Sequence, residues 1–332
     1  MLNDDRPVAV LGAGAWGTAL ALLIARGGRT VTLWTRDPAH AAALARDGEN
    51  RARLPGVALD PRIRPTGRLG DAAGAGLIVA AVPAQGWRGV AGALLPFLGA
   101  DVPVVLTAKG VERGTGLLPH ETTREVLGEV PLALLTGPSF AADVARGLPT
   151  AVTLAMADEA TGLALCEALS GPTFRPYWSP DLTGAALGGA AKNVLAIACG
   201  IVMGRGFGES ARAALTARGF AEIRRLAAAL GGEETTLMGL SGLGDVVLSC
   251  TSAQSRNYRY GLALGEGQTP AGAADRAGGT VEGAWTAAAI CERADRAGVD
   301  MPLAATVARI VEGREDVDSA ARRLMSRPLK AE

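Results

Sequence analysis

Only three of the 33 lysine and arginine residues in this 332-residue chain are lysines: Lys109, Lys192 and Lys330. A chain that uses arginine wherever a surface cation will serve makes a lysine in an apolar or glycine-rich setting conspicuous. Unlike arginine, lysine can release its proton at accessible pH once desolvated, so it can work as a general acid or base. Lys330 lies in the C-terminal tail and needs no such explanation. Lys192 falls in the middle of Gly184 to Met203, which reads as one buried helix, where an unpaired charge is costly. An ammonium that snorkels to solvent at a helix edge is the alternative; a stretch apolar on most faces favours the functional reading. Lys109 ends the run Val102 to Ala108 and precedes Gly110. The two histidines, His40 and His120, stand in no comparable setting, which leaves lysine as the leading candidate for acid–base work.

Two further clusters supply complementary chemistry. In the stretch Thr235 to Tyr260, glycines at 239, 242 and 244 allow close backbone approach, and Asp245 follows at once. Ser255-Arg256-Asn257 then offers a hydroxyl, a guanidinium fork and an amide in succession, a set suited to an anion and to phosphate in particular. Alone, such a triplet is ordinary surface; beside Asp245 and the glycines it suggests a site. At the other end of the chain, Gly12-x-Gly14-x-x-Gly17 follows the apolar run Val8 to Leu11 and precedes a helical pattern, Thr18 to Arg26. Gly12 permits a tight turn, Gly14 lets backbone approach a pyrophosphate, and Gly17 lets helix and strand pack closely. A pyrophosphate then sits on the unpaired N–H groups of the helix N-terminus.

These groups need elements to hold them. Thr30 to Thr35, Leu77 to Val82, Val102 to Ala108 and Leu132 to Leu135 read as strands, with Thr150 to Met156 and Thr173 to Trp178 as later ones. Helical patterns alternate with them, Pro38 to Asp47 and Glu159 to Leu169 among others, and argue a doubly wound, mainly parallel sheet. Gly48 to Leu69 reads as loop with short extended pieces. Lys109-Gly110, Pro83-Ala84-Gln85 and the turn Thr136 to Ala141, with Gly137 and Ser139, all fall at strand ends of the kind where ligands of open sheets bind. At the end of the second strand, Arg36 could pair with a 2′-phosphate and favours NADPH, while Asp37 beside it would suit the ribose of NADH. From about Asp181 long alanine- and leucine-rich helical patterns take over: Gly184 to Met203, Ser210 to Leu230, Ala284 to Arg296 and a tail helix over Val307 to Leu324. The expected division is an α/β Rossmann domain over residues 1–180 and an all-α domain over 181–332.

Composition excludes several classes. Basic and acidic residues balance at 33 each, so there is no cationic excess to release counterions from a nucleic acid. No apolar run is read as approaching the ~20 residues of a spanning helix. Residues 1–7 carry Asp4 and Asp5 and lack a signal-peptide pattern. Cys166, Cys199, Cys250 and Cys291 lie far apart with no metal-type spacing and read as reduced, mostly buried thiols of a cytoplasmic protein.

Taken together, these motifs resemble the bacterial-type NAD(P)-dependent glycerol-3-phosphate dehydrogenase family over nearly the whole chain. The likeness rests on Gly12 to Ala21, Lys109-Gly110, Gly137 to Ala141, Lys192-Asn193-Val194, Thr216 to Gly219, Gly242 to Asp245 and Ser255-Arg256-Asn257 in this order. It implies a Rossmann domain followed by a helical domain, usually paired as a homodimer. It also implies reduction of dihydroxyacetone phosphate to sn-glycerol 3-phosphate, the precursor of glycerophospholipids; no metal is expected, since the lysine ammonium groups can polarise the carbonyl. By resemblance Lys192 is the proton donor and acceptor. Lys109, Gly137, Ser139, Asp245, Ser255, Arg256 and Asn257 contact substrate. Gly12, Gly14, Ala15, Trp16, Gly17, Arg36, Lys109, Ala141, Arg256, Thr280 and Glu282 contact the dinucleotide, NADPH in preference to NADH. Position 15 is alanine where the family often has serine, and Met203 to Arg212 replaces a commoner pattern. A β-hydroxyacid or ketopantoate-type dehydrogenase shares the plan and a lysine, and its carboxylate substrate could also meet Arg256 and Asn257. A dinucleotide sensor without catalysis is the reading outside enzymes; both interior lysines and Asp245 speak against it.

Overall fold

The computed structural model describes residues 6–328, so Lys330, Asp4 and Asp5 lie outside the described residues. Two compact units form. One comprises the chain through Lys109 together with Leu117–Ala186; the other joins Gly110–Gly116 to the chain from Leu187 onward. The division expected at 180/181 differs from this grouping over 110–116 and over 181–186.

The first unit is built on eight strands: β1 (Val8–Leu11), β2 (Val31–Trp34), β3 (Ile63–Thr66), β4 (Leu77–Ala80), β5 (Val104–Leu106), β6 (Leu132–Thr136), β7 (Thr150–Ala155) and β8 (Phe174–Ser179). Their order is β3-β2-β1-β4-β5-β6-β7-β8. Every pairing is parallel except β6 with β7, so the sheet is mainly parallel as expected. Helices α1 (Ala15–Arg26), α2 (Pro38–Asp47), α3 (Ala84–Leu94), α4 (Pro119–Leu127), α5 (Ala141–Ala145) and α6 (Glu159–Leu169) connect the strands. The central strands β1, β4 and β6 are buried along their whole length, which is why they read as continuous apolar runs. Strand order reverses between β1 and β4, and a doubly wound sheet opens its ligand crevice at the carboxyl ends of such a pair.

The segment Gly48 to Leu69, expected as loop with short extended pieces, contributes one such piece as β3 at the sheet's border. Val31 N and Thr35 N donate to Arg62 O and Thr66 O, so alternate residues face β2 and Pro65 turns its nitrogen outward, where no donor is missed. At the opposite border, Thr150 N and Met156 N donate to Thr173 O and Ser179 O, and by the same alternation Pro176 of β8 faces away from β7. Both border strands therefore carry Arg-Pro at their centre: Arg64-Pro65 and Arg175-Pro176.

The second unit contains α7 (Leu182–Gly204), which begins in the first unit, then α8 (Glu209–Ala229), α9 (Glu234–Met238), α10 (Asp245–Thr251), α11 (Arg256–Gly265), α12 (Pro270–Ala277), α13 (Glu282–Arg296), α14 (Pro302–Val311) and α15 (Val317–Met325). At 23 residues and a mean hydropathy of 1.7, α7 is long and apolar enough to cross a membrane, which corrects the expectation that no run approaches that length; 94% of its apolar window is buried inside the protein. Its faces are covered by helices rather than left for lipid. The tail expected as one helix is two, because Gly313 takes a left-handed conformation (φ 70°) and Asp316 caps a new start by accepting from Ser319 N.

Helix α11 approaches α7 through glycines on both sides. A Cβ on Gly200 or Gly204 would collide with the carbonyls of Tyr258 or Leu262, and one on Gly261 or Gly265 with those of Ile197 or Ile201. Backbone thus lies against backbone, and this contact sets where the start of α11 falls relative to the middle of α7.

Candidate active site

In the first unit the glycine turn sits at the reversal point of the sheet. Gly12 has φ 111° and a Cβ there would lie 2.7 Å from Ala81 O, beyond the end of β4; a Cβ on Gly17 would overlap Gly12 O. No other residue fits either position. Gly14 is the N-cap of α1, exposed, with no side-chain cap and no acidic residue in the first turn. The first intrahelical donor is Thr18 N, to Gly14 O at 2.9 Å. The N–H groups of Ala15, Trp16 and Gly17 therefore have no intrahelical partner, and a Cβ on Gly14 would meet nothing within 4 Å. An open cradle of unpaired donors with no anion of its own suits a dinucleotide pyrophosphate.

Arg36 is exposed just beyond β2, whereas Asp37 is engaged as the N-cap of α2, accepting from Ala39 N at 2.9 Å. Of the two groups weighed at this strand end, the guanidinium is the one left free of a capping role. Lys109, half-buried beyond β5, donates to Gly137 O at 2.8 Å. The Ser139 hydroxyl donates to the same carbonyl at 3.1 Å. Gly137 has φ 139° and a Cβ there would press 3.0 Å from Val152 Cα, so the turn after β6 also requires glycine. Lys109, Gly137 and Ser139 are thus brought together; Ala141 opens the short α5 immediately after them.

In the second unit Lys192 is buried with 8% of its surface exposed. Its Nζ lies 2.9 Å from Asp245 Oδ1 and donates to Ser249 Oγ at 2.7 Å. The Ser249 hydroxyl in turn reaches Asp245 Oδ1 at 3.3 Å, closing a triangle. A buried charge tolerates such a place only when paired and hydrogen-bonded. Two of the three ammonium hydrogens are so used, and the third has no partner among the described residues. Asp245 stands at the start of α10, and Gly188 lets the backbone of Ser241 approach α7 one turn before Lys192: a Cβ there would lie 2.6 Å from Ser241 O. The glycine cluster at 239–244 accordingly serves packing that delivers Asp245. Ser249 is a residue the sequence reading missed. Its signal was the four-residue spacing from Asp245, which on a helix puts both on one face.

Ser255 caps α11 by accepting from Tyr258 N at 3.3 Å. Arg256 is exposed beside the turn before α13, where a Cβ on Gly279 would lie 3.1 Å from Arg256 Nη1; Thr280 and Glu282 follow directly. Asn257 is buried and its amide is committed at both ends, donating to Asn193 Oδ1 at 2.8 Å and accepting from Gly283 N at 3.0 Å. It ties α7, α11 and α13 together and differs in this from Arg256, whose head is at the surface. Cys166, Cys199 and Cys250 are buried and Cys291 half-buried, all free. Among the described residues no group of three or more His, Cys, Asp or Glu side chains is placed to hold a metal.

Comparison with known proteins completes the picture. Residues 7–162 match the family model of the NAD-dependent glycerol-3-phosphate dehydrogenase N-terminus, and residues 181–322 that of its C-terminus. The chain is 54% identical over 332 residues to the glycerol-3-phosphate dehydrogenase [NAD(P)+] of Methylobacterium radiotolerans, covering 100% of this chain and 99% of that protein. It is 53% identical over 327 residues to the protein of the same name from Parvibaculum lavamentivorans, covering 98% of each. The crystal structure of glycerol-3-phosphate dehydrogenase from Coxiella burnetii superposes with a TM-score of 0.94 at 40% identity, over 97% of this chain and 99% of that one.

Proposed function

The chain belongs to the NAD-dependent glycerol-3-phosphate dehydrogenase family, and from that premise we propose that it interconverts dihydroxyacetone phosphate and sn-glycerol 3-phosphate with a nicotinamide dinucleotide. The observation that carries the reading is the buried Lys192, held by Asp245 and Ser249 with one N–H unspent. When bound, the dinucleotide supplies or receives the hydride. Lys192 gives a proton to the oxygen that becomes the alcohol, and takes it back in the reverse direction. Asp245 and Ser249 hold the ammonium at two of its hydrogens, so the remaining one has a fixed direction. Lys109, oriented by Gly137 O, supplies a second cation for the substrate, with Gly137 and Ser139 beside it. Arg256, with Ser255 at the helix start, takes the phosphate, and Asn257 contributes by holding α11 on α7. The dinucleotide lies on Gly12, Gly14, Ala15, Trp16 and Gly17, with Arg36, Ala141, Arg256, Thr280 and Glu282 as further contacts. The free guanidinium of Arg36, set against the engaged Asp37, supports NADPH over NADH.

In this reading residues 1–180 form the dinucleotide-binding domain, which also lends Lys109, Gly137 and Ser139 to the substrate. Residues 181–332 form the substrate-binding domain, which lends Arg256, Thr280 and Glu282 to the dinucleotide. The protein works as a cytoplasmic homodimer and delivers sn-glycerol 3-phosphate to glycerophospholipid synthesis. The test is initial rates of NADPH and NADH oxidation with dihydroxyacetone phosphate against short keto acids. Turnover is expected with the phosphorylated ketone, and Lys192→Ala should lower it by ~10²–10⁴-fold while leaving cofactor binding in place. Preference for a keto acid, or near-normal turnover in the variant, refutes the reading.

A further inference from the structure

The Asn50 side chain is fully buried, with 0% exposed, in the loop that follows α2. Its Nδ2 donates to Ala13 O at 3.0 Å and to Thr18 Oγ1 at 2.7 Å, and its Oδ1 pairs with His40 Nε2 at 3.2 Å. Since a carbonyl can only accept, the bond to Ala13 fixes which end of the amide is nitrogen, and His40 Nε2 must then be the donor to Oδ1. The backbone of Asn50 is itself pinned, its carbonyl accepting from Arg53 N at 3.1 Å and Leu54 N at 2.7 Å, so the side chain has one direction to point.

The partner matters more than the count. Ala13 lies inside the glycine turn, and its C=O belongs to the same peptide plane as the N–H of Gly14. In a trans peptide these two groups point opposite ways, and the chain has no cis bond among the described residues. Holding Ala13 O inward therefore turns Gly14 N–H outward, on the side where the open cradle lies. Thr18, the other partner, is the residue whose N–H makes the first bond of α1. Asn50 thus grips both flanks of the unpaired donors. His40, on the helix that starts right after Arg36-Asp37, connects that grip to the segment beyond β2.

We propose that Asn50 is a positioning residue for the dinucleotide: through the Ala13–Gly14 peptide and Thr18 it pre-sets the donors of the glycine turn, with His40 as its outer support. The proposal rests on the reading of that turn as the cofactor site. Without Asn50 the turn samples other peptide orientations when empty, and binding must select one, which weakens affinity without touching any group that meets the ligand.

The test uses the full chain and reads NADPH affinity directly, by quenching of tryptophan fluorescence, beside thermal unfolding followed by circular dichroism. Asn50→Ala should raise the Kd for NADPH by about tenfold, the scale of one to two lost buried hydrogen bonds. The KM for dihydroxyacetone phosphate at saturating NADPH should stay within about twofold. A role in stability alone would lower the melting temperature and leave the Kd of folded protein unchanged. Asn50→Asp, which keeps the acceptor for His40 but sets a carboxylate oxygen against Ala13 O, should be as weak as alanine. His40→Ala should weaken binding by about two- to fivefold and covers the case in which Asn50 variants do not fold. A folded Asn50→Ala with wild-type Kd overturns the proposal, as does a wild-type Kd in His40→Ala if the Asn50 variants fail to fold. Absence of NADPH and NADH binding by the wild type would overturn the cofactor reading itself, and the proposal with it.

Discussion

Glu222 gives the most quantitative expectation. It lies on α8 with 4% of its surface exposed. Its carboxyl accepts from Leu303 N at 2.8 Å and Ala304 N at 3.2 Å. These are orphan donors in the first turn of α14, whose N-cap Met301 offers no side-chain acceptor. Burial, the largest influence, pushes the carboxyl from 4.5 to about 7; the two amide bonds and Arg225 oppose this, and Asp300 adds to it. Between those two values the folded chain holds a proton that the unfolded chain has released. Stability therefore falls as pH rises through this window and levels off above about 7. At 1.36 kcal/mol for each pH unit, the displacement corresponds to about 3 kcal/mol. Glu222→Gln cannot ionise, so it escapes that loss, but its amide can satisfy only one of the two donors and forfeits about 1 kcal/mol at any pH. At pH 5, half a unit above 4.5, wild type has already lost about 1 kcal/mol. The variant should therefore be nearly as stable as wild type there and about 2 kcal/mol more stable at pH 8. Urea denaturation followed by far-UV circular dichroism, which the helices of the second unit dominate, measures both. An equal difference at the two pH values would refute the assignment of a buried, proton-holding Glu222.

Two other outcomes are expected. Arg36→Ala should weaken NADPH by about 10- to 100-fold and leave NADH nearly unchanged, since a charge-assisted bond to the 2′-phosphate is lost; equal loss for both cofactors in fluorescence titrations would count against the role. Gly261→Ala drives a methyl into Ile197 O and should cost about 1–3 kcal/mol in urea denaturation. Gly89→Ala, at an exposed site on α3 where a Cβ meets nothing within 4 Å, should cost none and serves as its control.

The glycine turn is readable from sequence because three glycines spaced between a strand and a helix have a single backbone solution, and the structure places Gly12 and Gly17 in contacts no side chain could enter. Lys192 is readable because a lone lysine in an apolar helix must find an anion, and Asp245 is that anion. Ser249 escapes because a serine inside Val-Val-Leu-Ser-Cys looks like filler until the fold brings Lys192 to it. Asn50 escapes for a related reason: its partners Ala13 and Thr18 lie more than thirty positions away and carry no signal of their own. Strand β3 is legible only as one of the short extended pieces between Gly48 and Leu69, because Pro65 ordinarily argues against a strand and is tolerated at the border with its nitrogen outward. Helix α7 is legible as one buried helix over Gly184 to Met203, and the structure extends it only to Leu182 and Gly204. Its hydropathy is interrupted by Lys192 and Asn193, which hides that it is long enough to span a membrane.

The Arg-Pro pairs at the two ends of the strand order have a bearing on the protein at high concentration. A parallel sheet of apolar strands is a template for recruiting foreign chains, and its outermost members are the points of attack. A newcomer aligning on Ile63–Thr66 or Phe174–Ser179 would meet a pyrrolidine ring where it needs an amide hydrogen, next to an exposed guanidinium that resists being stripped of water. The same dipeptide at both flanks leaves fibril-like stacking without a foothold, so the molecule can pack a strongly apolar interior sheet and still resist the addition of strands at its edges.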